Sequence, residues 1–223
     1  MAYQKNIMPI AAPSMEQVSS DMAGIGMNIN APSNFEANIE DTLVFASIDG
    51  MDRDLLRTLA VMTHWLHFHS RIVNVDRLTR LIQQERSVRV RVYWASIAKW
   101  KNNDPRFRKL AKVYKGQRID LTSGTGFHVM RHGEDERFKD GPLRVPANVL
   151  RQRDRDIWPI EKMQERNLFV RYRLIIGPVY RADMWAMLDL NPELTTAELA
   201  RRTYGSFSTA WNAHRDWRIV NHA

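Results

Sequence analysis

Residues 195–217 read TTAELARRTYGSFSTAWNAHRDW. Thr195 or Thr196 stands where a helix begins, and Glu198 falls in the first turn, where a carboxylate suits the helix dipole. Leu199 faces inward, and Ala200 is small enough for another helix to cross closely. Gly205 is expected to take the left-handed conformation that closes this helix, and Ser206 to cap the next. Projected as a helix, the remainder sets Phe207, Ala210, Trp211, His214 and Trp217 on one face, three or four residues apart. Ser208, Asn212 and Arg215 fall on the other, with Thr209 beside them. The stretch is therefore one of two things. It is a pair of short helices that finish a core, or it is a helix-turn-helix whose polar face reads DNA.

Working outward, VYRADMWAMLDL (179–190) predicts a helix with Tyr180, Met184, Met187 and Leu188 inward, stopped at Asn191-Pro192. In NLFVRYRLII (167–176), Leu168, Val170, Tyr172, Leu174 and Ile176 alternate, which predicts a strand ended by Gly177-Pro178. Residues 105–166 are rich in charge and turn formers, as in TSGTG, RHGEDERFKDGP and RQRDRD. Further upstream, Leu55, Leu59, Met62 and Leu66 make one helical face within 51–70. Asn74 caps a second helix over 74–84, with Val75, Leu78, Leu81 and Ile82 inward, and a third starts near Ser87. NIEDTLVFASIDG (38–50) reads as a short strand or turn. Residues 1–34 show no periodicity and read as a disordered arm. A loose internal repeat is visible, since each half ends in a segment with two tryptophans six apart, Trp94 and Trp100, then Trp211 and Trp217.

The fold class expected is mainly α with minor β. Two helix-turn-helix or winged-helix-like modules, 35–118 and 167–223, are joined by a charged, partly β linker over 119–166. The charge is uneven. Residues 1–50 hold one lysine and six acids, a net of −5, and the rest of the chain carries +13. A basic body behind an acidic arm points to a polyanionic partner. There is no cysteine, so disulfides and thiolate zinc sites are excluded. No apolar run reaches the length of a membrane span, and the N-terminal twenty residues make a poor signal peptide, which together point to the cytoplasm.

With TTAELARRTYGS followed by FSTAWNAHRDW, residues 179–220 resemble the helix-turn-helix and winged-helix superfamily of DNA-binding domains, and 51–101 do so more weakly. Glycine in RTYGSFS sits one residue later than the common spacing of that superfamily. The resemblance implies that double-stranded DNA is the partner and leaves a homodimer open. A wing would have to be cut short or supplied by the 167–176 strand. Arg215 suits a guanine edge, Asn212 an adenine edge, and Ser208 or Thr209 a phosphate, while Arg201 and Arg202 would sit near the backbone. In the first module Arg89, Ser96 and Lys99 share a face if 87–101 is helical, flanked by Arg91 and Lys101, and would fix register on phosphates.

Chemistry beyond binding is not indicated. His64 and His67 lack a nearby carboxylate or cysteine, and His128 and His132 lack the intervening glutamate of a zinc protease. No nucleophile elbow, phosphate loop or carboxylate pair stands out, so neither an enzyme nor a cofactor is expected. The function expected is sequence-specific DNA binding by a transcriptional regulator of a bacterium or mobile element. The alternatives are a plasmid or phage replication initiator with tandem winged helices, and a protein-interaction module such as an antitoxin or assembly factor.

Overall fold

The computed structural model describes residues 11–221. The chain is mainly helical and divides into two compact units, one of Ala12–Trp158 and one that contains Pro159–Ala223.

The first unit begins with helix α1, Met15–Gly24, capped by the Ser14 hydroxyl, which accepts the Gln17 N–H at 3.2 Å. Its Val18 and Met22 are buried, as are Ile25 and Met27 just beyond it, and the buried Trp65 indole donates to the Ile25 carbonyl at 2.8 Å. From residue 11 onward the expected disordered arm is therefore corrected to a docked helix. Ten residues with three scattered apolar side chains cannot hold a helix alone, and tertiary packing supplies the stability. Residues 1–10 of that expected arm lie outside the described residues.

The expected strand or turn at 38–50 is also corrected: Ile39–Asp52 is helix α2, capped by the Asn38 side chain, with Glu40 and Asp41 in its first turn. α2 touches α1 and the three helices that follow, α3 (Leu56–His69), α4 (Val75–Gln84) and α5 (Val88–Trp100). A helix covered on nearly every side shows no apolar stripe, so its period is invisible in sequence. The other three follow expectation except at the start of α3. The helix expected over 51–70 is broken at Asp54, whose φ is 54°, so Met51 belongs to α2. The half-buried Leu55 precedes α3 in place of joining its inner face. Leu59, Met62 and Leu66 are buried, Asn74 caps α4, and Ser87 caps α5 by accepting the Val90 N–H at 3.2 Å. Trp94 is sealed and donates to the Ser47 hydroxyl at 2.9 Å.

Beyond α5, two short 3-10 turns lead to strand β1 (Ile119–Asp120), helix α6 (Thr125–His132) and strand β2 (Leu143–Arg144). β1 and β2 pair in parallel, Ile119 opposite Leu143. The chain then returns to α1 and α3. The Asn28 N–H donates to the Asp156 carbonyl at 2.7 Å, and the Arg57 guanidinium grips the Asp156 carboxylate at 2.6 and 2.9 Å. Residues 119–158 thus pack within the first unit.

The second unit consists of α7 (Ile160–Arg166), α8 (Leu168–Ile176), α9 (Tyr180–Leu190), α10 (Thr196–Arg202) and α11 (Phe207–Asn221). α8 corrects the strand expected at 167–176 and removes the strand expected to act as a wing. Asn167 caps it by accepting the Val170 N–H at 3.2 Å. Phe169, Val170 and Arg173, at helical spacing, turn inward, and Arg173 meets Asp183 of α9 through two bonds of 2.7 Å with both side chains 1% exposed. The alternating β-formers are overridden because only a helix sets 169, 170 and 173 on one side. No helix among the described residues is long and apolar enough to cross a membrane.

Candidate nucleic-acid interface

Three helices of the second unit, α9, α10 and α11, touch one another pairwise. The start of α10 is a full capping box: the Glu198 N–H donates to the Thr195 hydroxyl, and the Thr195 N–H donates to the Glu198 carboxylate. The Thr195 hydroxyl also donates to that carboxylate at 2.9 Å, and this bond first, with the Thr195 N–H second, holds the Glu198 carboxyl below its ordinary range. At the far end the left-handed residue is Tyr204, with φ 58°, in place of the expected Gly205. Gly205 has another role. A Cβ there would run into the Met184 methyl, so the bare Cα lets the turn lie against α9. Ser206 caps α11, accepting the Thr209 N–H at 3.1 Å.

α11 turns Ala210, Ala213 and Trp217 inward, against a cluster with Met184, Leu188 and Leu199. The Trp217 indole donates to Asp189 at 2.6 Å, and the Tyr172 hydroxyl donates to the other oxygen of the same carboxylate at 2.5 Å, so one acid ties α8, α9 and α11. Burial, then the Asp189 bond, pushes the Tyr172 phenol up to about 12. The expected inner face is thereby corrected. Trp211 is 51% exposed and Phe207 61%, so neither anchors the core. The signal that marks the true face was the small pair Ala210 and Ala213, which with Trp217 keeps a spacing of three and four and lets α11 approach α9 closely.

On the outer side Ser208 and Asn212 are exposed. Arg215 is half-exposed. It bonds Asp216 at 2.8 Å and lies 5.3 Å from the centre of the Trp211 ring, beside that indole and not opposite it. Thr209 is half-buried with its hydroxyl 2.6 Å from Ser206. Arg201 and Arg202 are exposed in the last turn of α10. His214 is held below the ordinary imidazole range by burial first and by Arg218 second.

The residues expected to contact phosphates in the first unit do not share an open face. Ser96 is sealed, donating to the Val92 carbonyl and accepting the Leu143 N–H at 2.9 Å, and is corrected from a contact residue to a core one. Arg89 is held by Asp54 at 2.8 Å and the Leu121 carbonyl at 2.9 Å. Arg91 is half-buried, and Lys101 donates to the His67 carbonyl at 3.1 Å while lying 4.5 Å above the Trp100 ring. Burial lowers the Lys101 ammonium. Lys99 alone of the five is exposed. The two tryptophan pairs also differ, since Trp94 is buried in its pair and Trp217 in the other.

Among the described residues no group of three or more His, Cys, Asp or Glu side chains is placed to hold a metal ion. No protein-family model, no curated protein and no solved structure matches the chain.

Proposed function

We propose that the protein binds double-stranded DNA sequence-specifically, as a transcriptional regulator of a bacterium or mobile element, through α11. The observation that carries this reading is the outer side of α11: Ser208, Asn212 and Arg215 are accessible on a helix pinned from behind by Ala210, Ala213 and Trp217. Asparagine reads an adenine edge and arginine a guanine edge, each with two bonds. Arg201 and Arg202 meet phosphates from the preceding helix. Both helices enter through side-chain caps, which favours a fixed angle between them. The net charge of +8 supplies attraction to the polyanion.

Selection of bound sequences from random duplexes at about 150 mM salt, near physiological ionic strength, tests this. Asn212→Ala is expected to cost about 1–3 kcal/mol on the selected site and to relax one base position. Arg201→Ala is expected to weaken all duplexes alike. With Arg201 and Arg202 on phosphates, affinity falls roughly tenfold between about 50 and 200 mM salt, and more steeply with each further phosphate contact. If Asn212→Ala binds the selected site as tightly as the unchanged protein, the reading fails.

A second reading, a protein-interaction module, is favoured by Leu174, Ile175, Ile176 and Val179, which are exposed in close succession at the end of α8. Binding to a protein partner that ignores salt, with no duplex selected, would support it instead.

A further inference from the structure

Trp211 is the largest apolar side chain left half in water, and the packing of α11 does not use it. It lines a groove of about 600 Å3 between α11 and the chain that joins α9 to α10. Arg215 and Arg218, three residues apart on α11, line the same groove, as does His214 between Trp211 and Arg215. Arg215 already stands beside the indole, 5.3 Å from its ring centre. Asp216 engages Arg215 and Arg181, whereas Arg218 forms no ion pair with a described residue. The His214 Nε2 is buried without a hydrogen-bond partner among the described residues, and burial, then Arg218, holds its ring below the ordinary imidazole range. Glu193 is the one acid in the lining, so the groove is net cationic.

We propose that this groove binds a nucleobase that carries a phosphate. The base stacks on Trp211, and Arg218 meets the phosphate with Arg215 beside it. An exposed indole with adjacent guanidiniums suits a flat ring attached to an anion, and stacking tolerates any base because every base has a π-face. Intact duplex does not offer that group, since its bases are stacked and paired. The ligand is either a free mononucleotide or an unpaired base of a single strand. This site does not require duplex reading by Asn212.

The test is fluorescence anisotropy of a labelled twelve-nucleotide deoxyadenosine strand with the full chain at about 50 mM salt, with AMP as competitor. Trp211→Ala is expected to weaken strand binding about tenfold or more, Trp211→Phe to keep it within about threefold, and both to melt with the unchanged protein. Arg218→Ala is expected to weaken binding and flatten its salt dependence. Displacement of the strand by AMP assigns the free nucleotide. Trp211-dependent strand binding that AMP does not displace assigns the single strand. The proposal is overturned if Trp211→Ala binds the strand as tightly as the unchanged protein, or if the unchanged protein binds neither strand nor AMP. Asn212→Ala, measured on the selected duplex and on the strand, separates the two sites: it is expected to lose only the duplex.

Discussion

Arg77 has no solvent exposure and joins two helix starts. Its guanidinium donates to Asn38 at 2.8 Å and to Asp41 at 2.5 Å and lies 3.6 Å from Glu40, which is itself sealed. Glu40 also accepts the Asn74 N–H at 2.8 Å, so α2 and α4 begin on one shared polar cluster. Removing one partner leaves a buried charge uncompensated. Arg77→Ala is therefore expected to cost about 3–5 kcal/mol, read from urea unfolding. A loss below about 1 kcal/mol, the range of an exposed pair, would show that the cluster does not hold the unit together. The tryptophans of α11 separate in the same way. Trp217→Ala is expected to cost about 3–5 kcal/mol, since it opens a cavity in the core and removes the indole bond to Asp189. Trp211→Ala is expected to stay within about 0.5 kcal/mol, as a surface change does. Equal losses at the two positions would contradict the orientation of α11.

At the scale of elements, α1 depends on a close approach. Gly24 is buried, and a Cβ there would collide with the Asn34 carbonyl, a backbone atom that cannot swing aside. Gly24→Ala is expected to lower stability by about 1–3 kcal/mol, as overpacking does, and to speed proteolysis within 12–34. An unchanged melting temperature and cleavage rate would mean that α1 does not dock as described. α8 shows the opposite balance of local and tertiary forces. Its residues favour a strand by type, and the buried Arg173–Asp183 pair together with Phe169 and Val170 holds them helical. The cost appears at its outer side, where Leu174, Ile175 and Ile176 remain in water.

For the whole molecule, each unit has its own buried core, so the fragment Ala12–Trp158 is expected to fold alone. Circular dichroism of that fragment should show a helical spectrum and one cooperative melt. A spectrum without helix, or a melt without a transition, would mean that the two units fold only together. The second unit is small, and a domain of its size is marginal by surface-to-volume scaling. Charge is also partitioned differently from the simple division into acidic arm and basic body. Glu40, Asp41 and Asp49 are spent on Arg77 and Arg53 inside the first unit. Residues 159–223 hold nine basic and seven acidic side chains, a net of only +2. Any duplex contact by α11 therefore relies on where its cations stand more than on their excess.

The sequence by itself determined the places of α3, α4, α5 and α9, the caps of α4 and α5 at Asn74 and Ser87, and the Thr195–Glu198 and Ser206 starts of α10 and α11; of these helices α4 shows a clear wet face and dry face. It also determined the exposure of Ser208, Asn212 and Arg201, polar residues on a helix whose other side is small or apolar. Tertiary structure decided the rest. α2 carries no stripe because it is covered all round, α1 is too short to show one, and α8 is helical only against α9. The face of α11 was decided by shape as well as hydropathy. Two alanines permit the close crossing of α9, so the bulky Trp211 and Phe207 are left outside although they are the more apolar. Ser96 and Lys101 lost their expected exposure for the same reason: what covers a helix face comes from distant parts of the chain, β2 for Ser96 and α3 for Lys101, and local periodicity carries no record of it.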